Sequence, residues 1–336
     1  MKDSKLGVLL LNLGTPDQPT TQAIRRYLAE FLSDPRVVNL PRWLWLPVLY
    51  LFILRVRPQS VAGKYRKIWG RKDSPLRIIM YALSGRTERA LEVATGKELQ
   101  SESIMVRPAM TYGSPGIRHS VEAMKQQGVT RFLFLPLFPQ YANATVGACY
   151  DQVTDYFRHE ESPPFRFIDG YHDQESYIHA LAKSVERCRR FLNSETLLLF
   201  SFHGIPRAQS DQGDPYANQC ERTAELVAHH LGLGKNQWRL SYQSRFGPAE
   251  WLTPYTSETL ARLPAEGIDR VLVICPGFAT ECLETLEEIK IMNREIFLNA
   301  GGSAFKYVKA LNATALHVDV MKDLITEHFS PDEQHR

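Results

Sequence analysis

Apolar and polar positions along this chain fall into an alternating series. Gly7–Leu13 is a continuous apolar run closed by Gly14-Thr15-Pro16, the pattern of a strand buried on both faces. Thr20–Leu32 follows with helical spacing, and Pro75–Leu91 repeats it. Ser103–Ala109 predicts a strand, with a helix from Pro115, where proline suits a first turn. Arg131–Leu135 predicts a strand and Thr145–His159 a helix. A second series opens near Pro163-Pro164. Its strands are expected at Phe165–Ile168, Thr196–Phe202, Trp238–Tyr242 and Arg270–Cys275, and its helices at Gln174–Phe191, Tyr216–Leu231, Ser257–Leu263 and Glu281–Leu298. Phe305–Lys309 predicts a last short strand and Leu316–His328 a last helix. Strands alternating with helices imply an α/β class with parallel sheets covered on both faces; two series imply two doubly wound domains.

The longest apolar stretch, Trp43–Leu54, is broken only by Pro47. A membrane span needs roughly 20 residues, so this run is too short for one. It fits a buried helix or, with Arg42 before it and Arg55 and Arg57 after it, the lip of an apolar pocket or a segment lying on a lipid surface. Composition adds exclusions. The 336 residues are 44% hydrophobic and 23% charged, ordinary for a globular protein. A net charge of +3 does not argue for nucleic acid. The five cysteines include no C-x-x-C pair, which argues against a disulfide framework or zinc ribbon. The N-terminus does not read as a secretion signal, so a reduced, cytoplasmic protein is expected. G-x-G-x-x-G, G-x-x-x-x-G-K-[ST] and H-E-x-x-H are all absent, which removes the usual dinucleotide, P-loop and zincin readings.

In open parallel sheets, ligands bind beyond the carboxyl ends of strands. The segments expected there are rich in aromatics, prolines and glycines, which suits a flat apolar ligand with a few polar anchors. His203 falls at such an end, before Gly204-Ile205-Pro206, where an imidazole can take a proton or bind a metal; a histidine satisfied by nearby backbone is the plainer reading. At 100° per residue, Glu281, Glu284 and Glu288 share an arc of about 60°, with Glu287 further round. An acidic stripe is commonly only a solvated face. Its start at a helix N-terminus and, if both strands belong to one parallel sheet, its place at the same edge as His203 weigh against that reading, and would suit a proton-accepting or transient ferrous site.

At these residues the resemblance becomes specific. The segments Gly7–Pro16, Pro136–Tyr141, Ser201–Pro206, Gly213–Tyr216, Tyr242–Pro248 and Pro276–Glu288 run in the order of the bacterial ferrochelatases, and the chain resembles that family from residue 7 to about 325. The resemblance implies two Rossmann-like, chelatase-like domains without a dinucleotide site. The first would be 1–162 plus 306–336, with a returning C-terminal helix, and the second 163–305. It implies insertion of Fe²⁺ into protoporphyrin IX with loss of two protons, to give protohaem. His203 and Glu284 match the family's catalytic pair, and Glu288 and Glu281 match further acids, a set that would also handle metal. Leu13, Tyr112 and Gln243 would line the porphyrin pocket, and Arg66 and Lys67 would meet propionates. Many relatives carry Asp-His where this chain has Glu281-Cys282. Some hold an iron–sulfur cluster through cysteines that have no counterpart here, so no cluster and no tightly bound cofactor are expected. Competing readings are a non-catalytic tetrapyrrole carrier, a chelatase for coproporphyrin III or another metal, and a hydrolase using Ser201, which lacks a G-x-S-x-G elbow.

Overall fold

The computed structural model describes residues 5–98, 103–158, 163–188, 190–191 and 195–328. It contains two four-stranded sheets, all of whose neighbours run parallel. The first takes β1 (Lys5–Thr15), β2 (Ser103–Gly113), β3 (Arg131–Pro136) and β4 (Phe165–Phe167) in the order β2-β1-β3-β4. The second takes β5 (Thr196–His203), β6 (Trp238–Gln243), β7 (Arg270–Ile274) and β8 (Ala304–Val308) in the order β6-β5-β7-β8. Helices link successive strands, as parallel pairing requires.

The chain divides into two compact units. One takes Met1–Leu137, Asn143–Gly170 and Ala313–Arg336, the other Phe138–Ala142 and Tyr171–Asn312. These divisions differ from the expected 162/163 and 305/306: β4, expected to open the second domain, pairs with β3 in the first sheet and belongs to the first unit, and β8 and the turn after it belong wholly to the second. Within the first unit, helix Ala315–Glu327 packs on helix Pro75–Glu98, and Arg86 donates to the Ala313 carbonyl. Thr314 caps that final helix by accepting from the His317 N–H.

The central strands are buried on both faces, which is why their sequences are continuously apolar. In β5, Thr196–Phe202 is buried and His203 is the first residue to emerge. In the second unit, Leu199, Leu260, Val271, Val273, Ile289 and Phe297 form one apolar cluster between the sheet and its helices.

Two helical expectations change. Thr145–His159 begins as a π-helix, Asn143–Gly147, before the α-helix Ala148–Phe157; His159 lies outside the described residues. Glu281–Leu298 is a π-helix over Glu284–Asn293 followed by α-helix Arg294–Asn299, and Glu281 precedes both. Arithmetic at 100° per residue therefore does not apply there, because i→i+5 bonding widens the turn. The segment Trp43–Leu54 is helical but not buried throughout. Trp45 and Leu49 turn inward, the Trp45 indole donating to the Leu32 carbonyl at 2.7 Å, while Trp43 is 76% and Phe52 66% exposed. Among the described residues no helix is long and apolar enough to cross a membrane.

Candidate active site

The second unit's site starts where β5 runs out. His203 Nδ1 lies 2.6 Å from the Gly204 carbonyl oxygen. A carbonyl only accepts, so Nδ1 carries the proton and Nε2 keeps its lone pair. The ring stands beside Trp251 and Phe278, with centroids 6.1 and 6.4 Å away. Gly204 is tightly surrounded: a Cβ there would lie 3.0 Å from the Trp251 ring and 3.1 Å from the Gln243 carbonyl oxygen. That closeness carries a bond, Gly204 N–H to Gln243 O at 2.8 Å, which ties the end of β5 to the end of β6.

Gln243 pairs with His203 across the two strands, and its Nε2 donates to the Glu284 carbonyl at 3.3 Å. Ser244 sits in the left-handed region, φ 67°, where a non-glycine residue needs a reason. The reason is Glu288: the Ser244 N–H donates to one carboxylate oxygen at 2.7 Å and Ser244 Oγ to the other at 2.5 Å. Burial pushes the Glu288 carboxyl above the usual range, the Ser244 hydroxyl and His203 pull it back, and Glu284 pushes it up again. His203 and Glu284 are thus each in electrostatic reach of Glu288.

Glu281 does not join them. It is buried, and its carboxylate accepts from Thr285 Oγ1, from the Tyr307 hydroxyl at 3.1 Å and from the Ala310 N–H at 3.2 Å. Among the described residues no group of three or more His, Cys, Asp or Glu is gathered closely enough to hold a metal ion. The expected set His203, Glu281, Glu284 and Glu288 is therefore not one ligand cluster. Glu287, expected round the side of the stripe, is buried, a consequence of the π-helical turn. Gln243, expected to line a pocket, is buried with both ends of its amide bonded. Ser201 is fully buried and its hydroxyl donates to Gln243 Oε1, which leaves it no role as an exposed nucleophile.

The remaining expected residues lie in the first unit. Leu13 is half-buried at the end of β1. Arg66 and Lys67 are exposed in the last turn of helix Leu54–Ile68. Tyr112 is 1% exposed; its hydroxyl donates to Asp34 Oδ2 at 2.8 Å and its ring lies 5.3 Å from Phe31. Tyr112 is thus a packed residue anchored to Asp34 rather than an open lining residue. Sequence reasoning missed Ser244 and Asp34. Ser244 follows Gln243 inside a quoted motif, which is the one signal that points to it; Asp34 has none.

With this geometry in place, the comparisons are direct. The ferrochelatase family model matches residues 5–329. The chain belongs to the ferrochelatase family. It is 48% identical to the ferrochelatase of Aeromonas hydrophila, over 97% of this chain and 99% of that one. It is 46% identical to the coproporphyrin III ferrochelatase of Streptococcus mutans, over 98% of this chain and 100% of that one. Among solved structures it resembles SirB from Bacillus subtilis with Fe³⁺, with a TM-score of 0.55 at 10% identity, covering 98% of this chain and 97% of the other. It also resembles CbiX, with a TM-score of 0.52 at 14% identity over 96% and 100%. These likenesses bear on the fold, a two-domain α/β chelatase architecture. As a ferrochelatase-family enzyme the protein is a metal chelatase of porphyrin biosynthesis, with a porphyrin and an iron ion as substrates.

Proposed function

We propose that the protein inserts Fe²⁺ into protoporphyrin IX, with His203 as the acceptor of pyrrole protons and Glu284 and Glu288 as the groups that pass metal and protons. The observation that carries this reading is the fixed imidazole. Nδ1 is held on the Gly204 carbonyl, so Nε2 is the basic atom, at a strand end with two carboxylates close by. Free porphyrin bears two N–H groups that must leave as iron enters, and an imidazole is a base of suitable strength near neutral pH. The carboxylates favour the cation and the imidazolium that forms. Iron passes through as a substrate, which agrees with carboxylates that are not closed into a ligand cage. In the first unit, we assign Leu13 to apolar contact with the macrocycle and Arg66 and Lys67 to its propionates. We expect no iron–sulfur cluster, because the five cysteines are dispersed along the sequence and include no C-x-x-C pair.

Coproporphyrin III is the second reading, favoured by the likeness to the Streptococcus mutans coproporphyrin III ferrochelatase. Anaerobic Fe²⁺ insertion by the purified protein, with the two porphyrins compared by kcat/KM, decides between them. A higher value for coproporphyrin III overturns the choice made here, and no insertion into either overturns the enzyme reading.

We place the protein in the cytoplasm, touching a membrane surface through Trp43–Leu54. The support is the exposed row Trp43, Leu44, Val48, Tyr50, Leu51 and Phe52, with Arg55 exposed beside it. Binding to vesicles containing anionic lipid should be lost in Trp43→Asp with Phe52→Asp. Equal flotation of this variant and the wild type would remove the surface from the account.

A further inference from the structure

Beneath the edge of the second sheet runs a row of buried hydroxyls whose partners can be followed one by one. Ser201 and Ser241 are fully buried and Thr256, opening helix Thr256–Arg262, is nearly so. Thr256 Oγ1 lies 2.8 Å from Ser201 Oγ and 2.9 Å from Ser241 Oγ. Ser201 Oγ lies 2.8 Å from Gln243 Oε1. Each hydroxyl has one proton to donate, and Gln243 Oε1 can only accept. Ser201 therefore donates to Gln243, Thr256 to Ser201 and Ser241 to Thr256. The other choice, Ser241 to the Phe200 carbonyl at 3.2 Å, would leave one of the two Thr256 contacts as lone pair against lone pair.

The Glu284 carbonyl, which can only accept, fixes which way the Gln243 amide faces, and the amide in turn sets the direction of the chain. Gln243 Oε1 takes the Ser201 proton and lies 3.6 Å from the Cys275 thiol, while its Nε2 reaches the Glu284 carbonyl. Turned over, the amide would set oxygen against the Glu284 carbonyl oxygen. The next residue, Ser244, holds the Glu288 carboxylate with two bonds. Consecutive residues thus grip the π-helix at its first residue through the backbone and at Glu288 through the side chain. A π-helical run of ten residues is unusual and needs anchors outside itself.

We propose that the chain Ser241–Thr256–Ser201–Gln243, together with Ser244, is the positioning device of the site: it sets the π-helix, and with it Glu284 and Glu288, against His203. None of these residues needs to touch a substrate. The Gln243 backbone is already paired with His203, so the same residue references the proton acceptor and the acidic helix to each other. The inference rests on the assignment of His203 and Glu284 to the reaction.

Thr256→Val keeps the side chain's shape and deletes the link, whereas Thr256→Ser keeps the link. Thr256→Val is expected to lower kcat per folded molecule about 10- to 100-fold, the scale of a small misplacement of reacting groups, with porphyrin KM unchanged. It should also speed amide exchange across Glu284–Asn293 more than across β7, and Thr256→Ser should restore both. Ser244→Gly retains the left-handed backbone and the N–H and removes only the hydroxyl at a half-exposed position, so it tests the grip even if Thr256→Val fails to fold. It should lower kcat without lowering Tm. Wild-type kcat in Ser244→Gly, or a Thr256→Val loss that Thr256→Ser does not restore, overturns the proposal. His203→Ala, measured alongside, separates the two levels: full activity there overturns the underlying assignment, whereas loss there with normal Ser244→Gly and Thr256→Val overturns only the positioning device.

Discussion

The two units of this chain are built on one plan and do different work with it. Each sheet places its first strand second in order, between the strands that follow it. Each first strand ends in a Gly-x-Pro turn, Leu13-Gly14-Thr15-Pro16 in one and His203-Gly204-Ile205-Pro206 in the other. After each second strand a proline carbonyl returns to the strand backbone, Pro115 accepting from Met110 and Pro254 from Tyr242. After each third strand the chain enters a π-helix, Asn143–Gly147 or Glu284–Asn293. At matching points the side chains part: Leu13 against His203, and a π-helix of Asn-Ala-Thr-Val-Gly against one carrying Glu284, Glu287 and Glu288. Even the two turn glycines face different contacts: a Cβ at Gly14 would strike the Tyr112 carbonyl and one at Gly204 would crowd Trp251. The two units share the strand ends and the turns after them; on the reading proposed above, the acid–base groups are carried by one copy.

The sharpest way to break this comparison is to change the matching residues His203 and Leu13. His203→Ala should leave the fold intact and lower kcat for Fe²⁺ insertion by about 10²–10⁴-fold, the usual cost of losing a general base. Leu13→Ala should raise porphyrin KM and leave kcat nearly unchanged. Equal loss of kcat in both, at equal folded fraction, would mean that the chemistry is not confined to the second unit. Steady-state kinetics beside thermal melts give the answer.

Glu284→Gln comes next. It keeps the side chain's size and leaves the main-chain carbonyl that accepts from Gln243 in place, so the π-helix should stand. Removal of the charge should lower kcat by about 10²-fold, the lower end of the range for acid–base groups, with porphyrin affinity retained. A fall in Tm proportional to the lost activity would reduce Glu284 to a structural residue.

A smaller effect of another kind is expected at Tyr112, in the first unit. Tyr112→Phe removes the hydroxyl bonded to Asp34 and should cost about 1.5–3 kcal/mol of stability, as for a hydrogen bond to a charged group. It should not alter porphyrin KM, because the ring is buried. A raised KM with unchanged Tm would return Tyr112 to the porphyrin contacts.

The sequence was most legible where both faces of an element are buried. All eight strands overlap their expected positions, and the differences are at the ends: Thr15, Gly113, His203 and Gln243 still belong to strands, whereas Ile168, Cys275 and Lys309 do not. Helix Leu54–Ile68, which continues the helical run from Arg42 and holds Pro58 in its interior, was not among the expected elements. His203 was visible because a strand end has a pattern. The π-helix was not, because hydrogen-bond register leaves no mark in the spacing of apolar residues, and Glu281, expected on the helix stripe, lies before the helix and is held by Tyr307 and Ala310. Ser244 and Asp34 act through local hydrogen bonds outside the regular elements, where no periodicity exists to betray them.

The least effect, and the finest test of the comparison, concerns thiols. Each sheet edge has a buried cysteine against a polar residue of the second strand: Cys149 lies 3.0 Å from Thr111 Oγ1, and Cys275 lies 3.6 Å from Gln243 Oε1. Burial pushes the Cys149 thiol up to about 12 and the Cys275 thiol well above its ordinary value. The thiolate is the reactive form, so at pH 8 a thiol of that strength is ionised in only about one molecule in 10⁴. Native protein treated with iodoacetamide at pH 8 should therefore be alkylated first at Cys188, which is partly exposed. Labelling of the two buried thiols must wait for local opening, and elements that serve a ligand are drawn from the less stable part of a fold. Cys275, beside the acidic π-helix, should accordingly label before Cys149, and Thr256→Val should widen the gap between them. Peptide mass spectrometry over a time course measures the order. If Cys149 labels first, the first unit's edge is the looser one, and a quiet copy set beside a working copy is the wrong description of the pair.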